Sequence, residues 1–258
     1  MRIVLAVVAV LIGALVALVG FAPASLADYG LRRATQGRLA LAETEGTIWH
    51  GSARLVLVDI NDRSPEQLTL AGVAIPGRMR WQVRILPLMV GALRANVRLD
   101  GMSEDIAIDG SVGELRVGRG MLSLPSVDLG RLGSPWNTVR PSGALAVRWE
   151  GLTLRPGVFD GRANIELRDM ASALTPVRPL GSYRIGVAGE GGSARLDIQT
   201  LQGPLNLEGD GVWTQARGVQ FTAQASADPE QRDRLQNLLG LLGRRQGDKT
   251  LIKIGARG

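Results

Sequence analysis

The stretch Met79-Arg80-Trp81-Gln82-Val83-Arg84-Ile85 decides the fold, because apolar and polar side chains exchange places at every step. Successive side chains of a β-strand point to opposite faces, so this order sets Met79, Trp81, Val83 and Ile85 against Arg80, Gln82 and Arg84. A helix would scatter the same residues around its axis. The alternation returns in Leu93, Ala95, Val97 and Leu99 against Arg94, Asn96 and Arg98. It returns again in Leu145, Val147 and Trp149, in Ile165 and Leu167, in Leu196 and Ile198, and in Val219, Phe221, Ala223 and Ala225. At least ten such segments can be counted.

Between them stand glycine-bearing breaks: Leu99-Asp100-Gly101, Gly118-Arg119-Gly120, Arg155-Pro156-Gly157, Gly189 to Gly192 and Gly209-Asp210-Gly211. Their spacing suits hairpins and leaves no room for the crossover helices of a parallel sheet. The expectation is an all-β protein: an antiparallel sheet, groove-like or sandwich-like, folded over an aliphatic face.

Composition narrows the chemistry. The 258 residues include no Cys and one His, His50, which excludes disulfides, thiolate nucleophiles and multi-histidine metal sites. His50 is expected at a strand end. The acidic pairs Glu43/Glu45 and Glu104/Asp105 read as solvated turn residues, and no glycine run opens a helix after a strand as a dinucleotide fold requires. Trp81, Trp149 and Trp213 fall in or beside alternating segments and are expected to pack on the sheet rather than stack bases. No enzyme, cofactor, metal or nucleic-acid partner is therefore expected. The net charge of +6 is concentrated in residues 230–258, and only Lys249 and Lys253 among the 30 basic residues are lysines, which argues against a polybasic binding patch.

At the other end, Ile3 to Ala22 carry no charge. Twenty residues in a helix reach about 30 Å, the thickness of a bilayer core, and exceed the usual apolar core of a signal peptide. Residues 1–24 are expected to be a retained transmembrane anchor, 25–45 a juxtamembrane segment and 46–258 the β domain. Arg2 and the α-amino group weigh less than Arg32, Arg33 and Arg38, yet long domains cross largely regardless of charge. One helix is expected over 229–242. There Asp228 is a candidate N-cap, Pro229 the first helical residue and Gln231 the capping-box partner, while Leu235, Leu238, Leu239 and Leu242 form one stripe. Gly243 suits a C-terminal cap, with Arg244 and Arg245 favoured by the helix dipole. A closing strand is expected near Leu251 to Ile254. The stripe is expected to dock over the sheet, or else to face a partner.

Several motifs taken together resemble a known family. They are Pro23-Ala24-Ser25-Leu26 after the apolar stretch, the run Gly46, Thr47, Ile48, Trp49, His50 and Gly51, then Trp81 through Pro87. Farther on come Gly181 and Tyr183, then Gly203, Gly209, Gly211 and Trp213, and finally the leucine-rich helix. In this order they resemble protein N of the type II (general) secretion pathway, a family similar to the AsmA-like group. The resemblance implies an inner-membrane protein with a cytoplasmic N-terminus and a periplasmic β domain, taking part in export of folded proteins across the outer membrane as a scaffold or assembly factor. It implies other secretion components as partners and no catalytic residue. Edge strands and the leucine helix are the surfaces expected to meet those partners. The alternative is an AsmA-like β groove that binds or moves lipid or another hydrophobic ligand.

Overall fold

The computed structural model describes residues 20–58, 72–128, 130 and 136–255. The expected span Ile3–Ala22 lies, but for its last three residues, outside them. Among the described residues no helix is long and apolar enough to cross a membrane.

The described chain is one antiparallel sheet of sixteen strands with a helix near each end of the sequence. Helix α1 (Ser25–Ala34) leads into β1 (Leu39–Gly46), β2 (His50–Val58), β3 (Gly72–Ala74) and β4 (Met79–Val83). A helical turn, α2 (Ile85–Leu88), precedes β5 (Ala92–Leu99), β6 (Ile106–Ser111), β7 (Glu114–Val117) and β8 (Gly120–Asp128). After α3 (Trp136–Val139) come β9 (Pro141–Arg155), β10 (Val158–Ser172), β11 (Gly181–Glu190), β12 (Ser193–Gln202), β13 (Leu205–Thr214) and β14 (Gly218–Ala227). Helix α4 (Arg232–Leu242), entered through a 3-10 turn at Pro229–Gln231, is followed by β15 (Arg244–Gln246) and β16 (Lys249–Ile254).

Apart from β3, which pairs only with β2, and β8, which pairs only with β9, the strands lie side by side in sequence order from β1 through β14 and then β16 and β15. Short turns join most of them, so the sheet is a meander, the local solution that the turn signals favour. Register preserves the alternation across the molecule. One row passes through Leu122, Val147, Ile165, Ile185, Ile198, Gly209, Ala223 and Ile252, each directly opposite the next. The neighbouring row, Arg148, Asn164, Gly186, Asp197, Asp210, Thr222 and Lys253, lies on the other face.

Two of the expected breaks are not turns. Gly118-Arg119-Gly120 interrupts a strand that keeps its register, since Val117 faces Leu152 and Gly120 faces Trp149 on the same β9. Gly209-Asp210-Gly211 lies inside β13, where a Cβ on Gly209 would come 2.5 Å from that of Ala223 and one on Gly211 2.6 Å from the Phe221 ring. Glycine serves there as space for a neighbour. The strand expected to reach Ile85 ends at Val83, and Ile85 opens α2. The sheet also starts before residue 46, because β1 occupies the second half of the expected juxtamembrane segment and α1 the first.

The helical segment covers 229–242, as a 3-10 turn at Pro229–Gln231 followed by α4, but its capping bonds differ from expectation. Asp228 makes no capping bond and instead accepts from the Asn206 amide at 2.9 Å. Gly243 is extended rather than left-handed, because the chain turns straight into the β15–β16 hairpin. Arg244 and Arg245 follow the helix, as expected, and are exposed residues of β15.

Apolar burial concentrates under the two helices. Below α1, Leu41, Ala53 and Trp81 are buried with Ala24, while Ala27 and Leu31 pack against them. Below α4, Val177, Leu180, Leu205 and Ala227 surround Leu235 and Leu238, which are 0% and 1% exposed. Between these cores Leu122, Val147, Ile165, Ile185 and Ile198 remain only half-buried.

Candidate functional site

The motif residues gather into two clasps, one under each helix. In the first, Gly46 ends β1 at φ +83°, a left-handed value that a Cβ would make costly, and a Cβ there would also meet the His50 carbonyl. The tight turn that follows is closed by the Thr47 N–H donating to the His50 carbonyl at 2.9 Å and by the His50 N–H donating to Thr47 Oγ1 at 3.1 Å.

This turn receives the chain arriving from the N-terminus. The Ala24 N–H donates to the Gly46 carbonyl at 3.1 Å, and the Ile48 N–H donates to the Ala22 carbonyl at 2.9 Å. Trp81 locks the same turn from the other side. Its indole N–H donates to the Ile48 carbonyl at 3.0 Å, and its ring lies over Gly51, where no Cβ would fit. The Val83 N–H donates to the Trp49 carbonyl at 2.7 Å. Gly46, Thr47, Trp49, Gly51 and Trp81 thus gather around the one turn to which residues 22–24 are bonded. Trp149 repeats the device farther along, with its ring over Gly120 and its N–H on the Gly118 carbonyl at 2.7 Å.

Helix α1 completes this clasp by occupying the outer edge of β1. Asp28 Oδ1 accepts the Leu41 N–H at 2.6 Å, and Thr35 Oγ1 accepts the Leu39 N–H at 3.1 Å. Edge donors that would invite another strand are already satisfied. A register shift between Ala42 and Glu45 distorts the rest of that edge. The opposite edge, β15, is three exposed residues, two of them Arg. These two margins are therefore poor surfaces for strand addition, while β3 and β8 are each paired on one side only.

The second clasp lies under α4. Gly203, at φ +117°, packs directly on Gly181, and the buried Tyr183 hydroxyl donates to the Leu205 carbonyl at 3.0 Å. The Leu205 N–H reaches the Leu180 carbonyl at 3.0 Å, and Thr175 Oγ1 donates to the Arg234 carbonyl at 3.2 Å, holding α4 down. Leu235 and Leu238 are consumed by the core, with Leu239 and Leu242 packed against it, so the stripe does not face outward. The leucine that α4 turns to solvent is Leu241. Gly209, Gly211 and Trp213 sit on β13, where Trp213 faces Ala194 and Val219.

Pro87 belongs to neither clasp. It lies half-buried in α2, within an apolar run from Ile85 to Val90 whose other members are exposed. The signal was present: six consecutive residues without polar side chains cannot alternate and are too few for a buried helix.

The ionisable groups show little chemistry. His50 lines a cavity of ≈ 490 Å³ with Glu45, Ser52, Arg80, Gln82 and Asn96, and it is exposed. Glu166 is held below the usual carboxylate range by its hydrogen bond from Arg168, at 2.6 Å, with Arg184 and Arg148 adding to the effect. Burial pushes the Tyr183 phenol well above its ordinary value. A carboxylate kept ionised and a phenol kept protonated are both far from proton exchange at neutral pH. Among the described residues no group of three or more His, Cys, Asp or Glu could hold a metal ion.

A family model, Type II secretion system (T2SS), protein N, matches residues 37–251, an interval that holds both clasps apart from residues 22–24 and α1. No curated protein and no solved structure matches the chain.

Proposed function

The chain belongs to the protein N family of the type II secretion system, and from that premise we propose that it is a non-catalytic scaffold or assembly factor. In this reading Ile3–Ala22 anchors it in the inner membrane, and the sheet stands on the periplasmic side, where it meets other secretion components during export of folded proteins. The observation that carries the reading is the first clasp. Ala22 and Ala24 are bonded to the turn after β1, so the sheet begins where the apolar stretch ends, with no free linker between them. A scaffold needs that fixed relation between anchor and body, whereas a flexible linker would let the sheet wander.

The test is crosslinking in intact cells followed by purification of the full chain. Enrichment of other type II secretion components is the expected result, and their absence at every crosslinker length sinks the scaffold role. A reporter fused after Gly258 that works only in an oxidising compartment checks the orientation.

A second reading rests on the half-buried row Leu122, Val147, Ile165, Ile185 and Ile198 between the two cores. An aliphatic face with few polar groups could seat an acyl chain. Mass spectrometry of the purified chain would then find stoichiometric lipid, and a lipid-free protein removes this reading.

A further inference from the structure

Six consecutive residues, Ile85-Leu86-Pro87-Leu88-Met89-Val90, join β4 to β5, and none carries a polar side chain. Soluble loops expose polar residues, yet Leu86, Met89 and Val90 are 79%, 80% and 83% exposed. Such a patch on a protein surface marks something that covers it.

The position of the loop identifies the cover. Its first residues follow Val83, whose N–H is bonded to the Trp49 carbonyl, and the adjacent Ile48 N–H is bonded to Ala22. Ala22 is the last residue of the expected span, and Phe21 before it is 81% exposed. Loop and stretch therefore leave the sheet at the same end, two backbone bonds apart. If Ile3–Ala22 crosses the bilayer, the loop lies at the bilayer surface.

Charge and backbone chemistry agree. From Met79 to Leu99 there is no acidic residue, and Arg84 and Arg94 stand at the base of the loop, joined by the Arg84 N–H donating to the Arg94 carbonyl at 2.9 Å, while the exposed Arg94 guanidinium also lies 3.9 Å from Asp109 on β6. Arginines beneath an apolar tip suit anionic headgroups over an acyl layer. A loop entering lipid must satisfy its own backbone donors. In this one the N–H groups of Met89, Val90 and Gly91 donate to the carbonyls of Leu86, Pro87 and Leu88 at 3.2, 3.1 and 3.0 Å, and Pro87 has no N–H.

We infer that the Ile85–Val90 loop, with Arg84 and Arg94 beneath it, inserts into the surface of the bilayer and gives the sheet a second lipid contact beside its anchor. The inference rests on the anchor reading above. Two contacts fix what one span leaves free, the rotation and tilt of the sheet about the helix axis.

The absence of cysteine makes the test clean. Full-length chains carrying one cysteine each, Met89→Cys, Ser103→Cys or Val8→Cys, are labelled with an environment-sensitive fluorophore. They are then reconstituted in phosphatidylethanolamine/phosphatidylglycerol vesicles containing nitroxide lipid. Ser103 lies in the exposed turn at the other end of β5 and serves as the aqueous reference. The expected result is quenching at positions 8 and 89 at least twice that at 103, with Leu86→Asp/Val90→Asp returning position 89 to the reference level. Quenching at 8 with position 89 at the reference level overturns the loop contact and leaves the anchor standing. Reference-level signals at both overturn the anchor and the loop together. A position 89 unquenched by lipid but crosslinked to a protein in cells assigns the loop to a protein partner and overturns the lipid contact.

Discussion

The two ends of the sheet are each closed by one helix, but by different physics. Helix α4 sinks Leu235 and Leu238 completely into a core of Val177, Leu180, Leu205 and Ala227. Helix α1 buries no residue fully and is held by bonds from Asp28 and Thr35 to the edge of β1, and by Ala24 and Ala22 on the first turn. Apolar burial is non-directional and tolerates sliding, whereas hydrogen bonds to a strand edge fix position. The C-terminal helix therefore stabilises the fold, and the N-terminal helix sets where the incoming chain meets it.

The strongest way to break this contrast is to truncate the leucines. Leu238→Ala is expected to cost about 2–5 kcal/mol, as for other fully buried leucines, while Leu241→Ala stays within about 0.5 kcal/mol. Equal midpoints in urea for the two variants would remove the distinction. Next in size is Asp28→Ala. Losing the acceptor leaves the Leu41 N–H without its partner, and the expected cost is about 1–3 kcal/mol. The effect should be local, seen as faster hydrogen exchange across β1 while the amides of β13 and β14 keep their protection. A uniform rise in exchange would show that α1 stabilises the whole sheet as α4 does.

Tyr183→Phe sharpens the account of the C-terminal clasp. The lost bond to Leu205 is expected to cost about 1 kcal/mol at neutral pH. The native phenol is raised, so its stabilisation is present below the ordinary tyrosine range and is lost as pH climbs through the elevated native value. Alkaline unfolding above about pH 10 should therefore be blunted in the variant. The smallest effect is expected at Glu166, on the exposed face. Its lowered carboxyl contributes stability that is present above the ordinary glutamate value and lost as pH falls through the depressed one. Glu166→Gln should flatten the acid limb of the stability profile slightly and leave neutral pH within about 0.5 kcal/mol.

The alternation that specified the sheet could be read from sequence because it is local. Each strand declares its two faces within a few residues, and the row from Leu122 to Ile252 is that pattern repeated in register. What escaped was long-range or ambiguous. Gly209 and Gly211 look like turn residues until Ala223 and Phe221 are placed opposite them. Asp28 gives no sign that it will meet Leu41, 13 residues away, and so α1 and the sealed edge were missed. The short Arg244–Gln246 strand has no apolar period to announce it. The family motifs were visible as residues, but their sorting into two clasps depended on contacts such as Trp81 to Ile48 and Gly203 to Gly181.

One feature of the sheet bears on how copies of this chain can assemble. A flat meander with two bare margins would add a second copy to either side and go on adding, the route to fibres. Here one margin is stitched shut by Asp28 and Thr35 and the other ends in a cationic stub of three residues. Sheet continuation is disfavoured at these two margins, which directs association between copies toward faces and loops, where closed symmetric rings are geometrically permitted.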